Sequence, residues 1–145
     1  MDQRINIEKT EPAAYKAMYA LEGYLASSKL NKSHKELIKI RASQINGCAF
    51  CIDMHTKDAR KNGETEQRIY LLNAWKETQL FNEEERAILA LTEEITLIAN
   101  GGVSEKTYQN AIALFDENYV AQLIMAAVTI NAWNRIAITT QVQPA

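Results

Sequence analysis

Apolar residues recur at three- and four-residue intervals along almost the whole chain, which is the spacing of amphipathic helices. No run alternates apolar and polar positions long enough for a strand. Start and stop signals divide the pattern. Thr10 reads as the cap of a first helix with Pro12 in its opening turn, running through Tyr15, Met18, Tyr19, Ala20 and Leu21 to a break at Ser27-Ser28. Ser33-His34-Lys35-Glu36 has the form of a capping box ahead of Leu37, Ile38, Ile40, Ala42 and Ile45, and Asn46-Gly47 is a natural stop. A third helix is expected from near Cys48 to Lys61, with Gly63 past its end, and a fourth from Thr65 through Ile69, Leu72 and Trp75. Asn82 to Glu85 caps a helix carrying Ile88, Leu91 and Ile95. Asn100-Gly101-Gly102 interrupts, Ser104 caps again, and a final helix spans roughly Asn118 to Thr140. The pattern predicts an all-α, single-domain multi-helix bundle of six or seven helices over residues 1–145. Asn-Ala-Trp occurs at 73–75 and 131–133 in unlike surroundings, which we read as coincidence.

With 145 residues, 47% of them hydrophobic, the chain can build one core. A net charge of −2, with acidic and basic residues interspersed, lacks the clustered Lys and Arg of a nucleic-acid binder. Behind Met1-Asp2-Gln3-Arg4-Ile5-Asn6 there is no apolar run of the kind a secretory signal carries. The most apolar stretch, Val120 to Ile138, contains Gln122, Thr129, Asn131, Asn134 and Arg135, a poor membrane span. The expectation is a cytoplasmic protein. In that compartment two cysteines three residues apart point to catalysis, redox sensing or metal binding rather than a structural disulfide.

Cys48, Cys51 and His55 stand at i, i+3 and i+7. At about 100° per residue, all three fall within roughly 60° of one helix face. A helix beginning at Gly47-Cys48 places both sulfurs in its first turn, where free backbone N–H groups and the macrodipole favour a thiolate. Three readings of this cluster are open: two small buried hydrophobes beside a surface His, a zinc site, and redox chemistry. No second Cys/His cluster completes a zinc tetrahedron. C-type haem attachment needs His directly after the second Cys, where Ile52 sits, and the βαβ setting of thioredoxin is absent.

The stretch from Glu36 to His55, Glu-Leu-Ile-Lys-Ile-Arg-Ala-Ser-Gln-Ile-Asn-Gly-Cys-Ala-Phe-Cys-Ile-Asp-Met-His, resembles the core of the alkylhydroperoxidase D-like proteins in the carboxymuconolactone decarboxylase family. Trp75, Glu85-Arg86-Ala87, Glu94 to Thr96 and Asn131 to Arg135 extend the likeness over most of the chain. The resemblance implies an all-helical fold assembled as trimers or hexamers, with peroxidase or disulfide-reductase activity. It implies that Cys51 attacks the peroxide, that Cys48 resolves the sulfenic acid into a disulfide, and that Glu36 and His55 relay protons. The substrate would be a small hydroperoxide or a disulfide, and a dithiol would reset the pair. No flavin, haem or metal is required. The best-studied peroxidases of the family carry a second His immediately before the second Cys. Here that position is Phe50, which implies a shorter relay or a different substrate. The family's decarboxylases do not use this Cys pair.

Glu36 has two readings, helix cap from its place in the capping box and relay from the resemblance. His34 reads as a solvated residue. A non-enzymatic redox-sensing or zinc-binding subunit is the alternative function. Val120, Leu123, Ile124, Ala127, Val128, Ile130, Ala132, Trp133, Ile136, Ala137 and Ile138 surround the last helix instead of forming one stripe. They predict burial on all sides, by neighbouring subunits of a homo-oligomer or as the central pillar of one subunit.

Overall fold

A computed structural model describes residues 4–145, so Met1, Asp2 and Gln3 of the N-terminal segment lie outside the described residues. The elements, in chain order, are α1 (Ile7–Thr10), α2 (Pro12–Ser27), α3 (Lys32–Asn46), α4 (Ala49–Lys61) and α5 (Glu66–Tyr70), then a 3-10 segment over Leu72–Glu77. They continue with α6 (Glu83–Thr96), α7 (Glu105–Leu114) and α8 (Glu117–Thr140). Among the described residues there is no strand, and the expected all-α class is borne out. No helix there is long and apolar enough to cross a membrane.

The hub is α3, which packs on α4, α6 and α8 at once. Its residues face two apolar clusters. Ile38 and Ala42 join Ile88 and Leu91 of α6 and Leu123, Ala127 and Ile130 of α8. Leu37 and Ile40 join Ala59, Leu72, Trp75, Phe81 and Leu89 on the other side. Because α3 is enclosed, the run Glu36 to Lys39 is buried throughout, charges included. A buried charge must find a partner or stay neutral, and these two residues lead into the site described below.

Several boundaries move for identifiable reasons. Asn6 caps a short α1, accepting from the Lys9 backbone N–H at 2.9 Å. Thr10 ends that turn, with its hydroxyl donating to the Asn6 carbonyl, so Pro12 opens α2 behind Glu11 instead. Asn31, not Ser33, caps α3, its Oδ1 accepting from the Ser33 N–H at 2.8 Å. Glu36 is therefore a full turn inside the helix and has no part in a capping box. The helix expected from Thr65 ends at Tyr70 and tightens into the 3-10 segment. There Leu72 and Trp75, eclipsed at i and i+3, both enter the core. His34 is also corrected. Its ring is half-buried and hydrogen-bonded to the Tyr119 hydroxyl at 2.7 Å. Burial lowers its pKa, the carboxylates of Glu84 and Glu85 only partly opposing.

In α8, Val120, Leu123, Ala127, Ile130 and Ala137 are buried within this chain, while Val128 and Ile138 are left exposed. The Asn82–Glu85 capping box and the Ser104 cap form as expected.

Candidate functional site

The turn from α3 into α4 creates the site. Gly47 adopts φ 72°, a left-handed conformation open to glycine at little cost. Its N–H donates to the Gln44 carbonyl at 3.3 Å and that of Cys48 to the Ser43 carbonyl at 3.0 Å. This double closure is the Schellman arrangement, and it satisfies the end of α3 while reversing the chain at once. Cys48 is thereby the N-cap of α4, its Sγ accepting from the Cys51 backbone N–H at 3.3 Å. The helix begins one residue later than expected, at Ala49, and its N-terminus serves Cys48 more directly than Cys51.

Cys48 and Cys51 are joined in a disulfide, with their Cα atoms 5.3 Å apart. Both are nearly inaccessible, packed with Ala137, Phe50 and Val142. They differ in what they face. Cys51 lines a cavity of about 470 Å³, together with His55, Phe50 and Met54 of the same helix, and Cys48 does not. Asn46 braces the turn from behind, its amide donating to Asn131 and Asn134 of α8, both at 2.9 Å.

His55 follows Cys51 by one helical turn, and the Glu36 carboxylate reaches it from α3. His55 Nδ1 and Glu36 Oε2 are 3.6 Å apart, beyond a direct hydrogen bond. Both atoms are buried with no hydrogen-bond partner. The four residues singled out by the sequence are thus assembled by the α3–α4 pair.

The sequence pattern of the carboxymuconolactone decarboxylase family matches residues 12–94. The chain belongs to that family. It is similar to the uncharacterized protein YdfG of Bacillus subtilis, 49% identical over 95% of this chain and 94% of that protein. It is also similar to the crystal structure of an Agrobacterium tumefaciens protein of unknown function, put forward as the antioxidant defence protein AhpD. That match has a TM-score of 0.96 and 42% identity over 99% of both chains. An uncharacterized peroxidase-related protein from Silicibacter sp. TM1040 shares the fold, with a TM-score of 0.81 and 22% identity over 97% of this chain and 72% of that one. The carboxymuconolactone decarboxylase fold expected from the Glu36–His55 stretch is therefore confirmed.

Within this family member, the cavity brings in residues that the sequence reading passed over. Lys39, between the core residues Ile38 and Ile40, turns its ammonium toward Glu22 of α2 at 3.6 Å. The Trp133 indole N–H of α8 donates to the same carboxylate at 3.0 Å. Tyr15 and Tyr19 close on the Trp133 ring, with centroids 5.4 and 5.8 Å away. Burial, seconded by Glu8, pushes the Tyr15 phenol up, so it stays protonated. A charge set among apolar neighbours was the available signal for Lys39. Nothing local marked Glu22, and Trp133 stood out only as an apolar residue of the last helix and as part of the family likeness. The N-terminal segment bounds the cavity through Ile5 and Ile7, with the Arg4 N–H held on the Thr140 carbonyl at 3.2 Å. Asp58 also lines it, and with Glu36 and His55 forms a group whose ligand atoms lie within 4.8 Å of one another.

Proposed function

We propose that this protein is a thiol-dependent peroxidase that reduces a small hydroperoxide, with Cys51 as nucleophile and Cys48 as resolving thiol. The observation that carries the reading is the asymmetry of the pair: the cavity meets Cys51, with His55 one turn away, and leaves Cys48 behind the wall. The Cys51 thiolate attacks the terminal oxygen of ROOH, breaking the O–O bond, and the departing alkoxide takes a proton to leave as ROH. His55 accepts the thiol proton and returns one to the leaving oxygen, with Glu36 on its far side stabilising the imidazolium between those steps. The Cys48 thiol then condenses with the Cys51 sulfenic acid, forming the disulfide and releasing water before further oxidation. A dithiol reductant, which a reducing compartment such as the cytoplasm supplies, restores both thiols and leaves as its own disulfide. A partner disulfide meeting Cys51 would be reduced through the same pair.

Phe50 lines the cavity where the family's peroxidases place a second His, and its ring passes no proton. The relay proposed here runs through His55 and Glu36 alone. We also propose a homo-oligomer, supported by the apolar side chains that α8 leaves exposed.

Thiol trapping during peroxide consumption, with a panel of dithiols as donors, tests the assignment. Cys48→Ser should accumulate a sulfenic acid on Cys51 under mild peroxide. Cys51→Ser should consume peroxide no faster than the double variant. The reverse pattern would exchange the two roles, and no turnover with any donor would remove the peroxidase reading.

A further inference from the structure

We propose that Glu36, His55 and Asp58 form a zinc-binding site, and that zinc bound there withdraws His55 from the thiol chemistry. The second half rests on His55 acting as the proton carrier; the first half does not. Asp58 follows His55 by three residues on α4, so both project from one face. Glu36 approaches from α3, and the ligand atoms of all three lie within 4.8 Å of one another.

The gap between His55 and Glu36 is informative. At 3.6 Å, Nδ1 and Oε2 are too far apart to share a proton directly. Two ligands about 2.0–2.2 Å from a tetrahedral zinc ion stand roughly 3.3–3.6 Å from each other. The observed 3.6 Å lies at the upper end of that range. The unmet demand is equally specific. Glu36 is 8% exposed and its Oε2 has no hydrogen-bond partner, nor has the facing His55 Nδ1. A carboxylate oxygen and a ring nitrogen buried without hydrogen bonds are costly, and a cation between them satisfies both.

The donor set supports zinc over the alkaline-earth ions. Imidazole suits zinc, the two carboxylates match its charge, and three protein ligands leave one corner for water. His55 and Asp58 line the same cavity as Cys51, so an ion reaches them by the path a substrate would take. Coordination uses the Nδ1 lone pair and holds the ring against Glu36. The group that moves protons at Cys51 is then fixed in place. A ring bound to zinc through Nδ1 carries its hydrogen on Nε2, so it has no lone pair left to accept the thiol proton.

The disulfide form separates this site from zinc capture by the cysteines, because its sulfurs are joined and no thiolate is available. Calorimetric titration of that form with zinc sulfate should give one equivalent of binding, and magnesium sulfate none. Asp58→Asn and Glu36→Gln should each weaken zinc binding by roughly tenfold or more, with helical circular dichroism unchanged. Absence of saturable zinc binding, or affinity unaltered in both variants, would overturn the site. Single-turnover oxidation of the pre-reduced protein by peroxide then tests the consequence. Zinc should slow the wild-type reaction, and Asp58→Asn, which keeps both sulfurs, should relieve the effect. Inhibition equal in the two would overturn the withdrawal of His55 and assign it to the thiols. A protein inert to peroxide without zinc would defeat the peroxidase reading, while the titration would still decide the site.

Discussion

Asn46, the last residue of α3, donates from its side-chain amide to Asn134 Oδ1 in the middle of α8 at 2.9 Å. Asn134 is fully enclosed and returns the link, donating to Ser43 Oγ at 3.0 Å. These bonds pin the last turn of α3, just ahead of the reversal that presents Cys48. Deleting the shared partner leaves a buried hydroxyl and a half-met amide. Each buried group left unpaired costs about 1–3 kcal/mol. Asn134→Ala should lower stability by about 2–3 kcal/mol in urea unfolding. A change within experimental error would mean that neighbouring groups or water replace the lost bonds.

The placement of His55 beside the cavity predicts a pH-dependent loss. A free thiol titrates near about 8.5, so a positioned base matters most at neutral pH and least once solution hydroxide suffices. His55→Ala should slow single-turnover oxidation by about 100-fold near pH 7, with the gap narrowing near pH 9. Equal loss at both values would assign His55 a structural role, or one as an acid alone.

Glu85, 6% exposed, is gripped by Arg68, whose guanidinium also lies 4.6 Å above the Phe81 ring. Burial works against its ionisation, but the Arg68 hydrogen bonds and the Asn82 backbone N–H outweigh it and hold its pKa below the ordinary value. A lowered carboxyl pKa contributes stability that is complete above the unfolded value, about 4.3, and is lost as pH falls through the folded one. The wild-type melting temperature should therefore drop on acidification below that range. Arg68→Met strands a buried carboxylate and should cost about 3 kcal/mol at neutral pH. Without the arginine, burial raises the Glu85 pKa, so mild acid should restore part of the loss. A variant that simply tracks the wild type in acid would show the pair to be energetically silent.

Val128 and Ile138 remain 42% and 43% exposed on α8 after the subunit has folded. If neighbouring subunits cover them, light scattering at micromolar concentration should give a multiple of the 16.4 kDa chain mass. A trimer or hexamer is expected from the family resemblance. Introducing Val128→Glu with Ile138→Glu should shift the protein to monomers without loss of helicity. A wild-type mass near that of one chain would end the assembly proposal and leave the redox assignment untouched.

What the sequence determined by itself is local. Helix starts at Asn82 and Ser104, the reversal at Asn46-Gly47 and the shared face of Cys48, Cys51 and His55 follow from hydrogen bonds and periodicities within a few residues. Where two local signals competed, only packing decided. Ser33 reads as the cap of α3, but Asn31, two residues earlier, opens it, and Glu36 to Ile40 are buried in the core. The stretch from Thr65 reads as one continuous helix until Leu72 and Trp75 must both reach the cluster around Leu37. Which sulfur faces the cavity, and that Glu22, Lys39, Trp133 and Asp58 surround it, depends on how α2, α3, α4 and α8 meet. Those contacts join positions far apart in the chain, Trp133 lying 111 residues beyond Glu22. No local propensity encodes such a meeting, because its free energy comes from burying faces that belong to different helices.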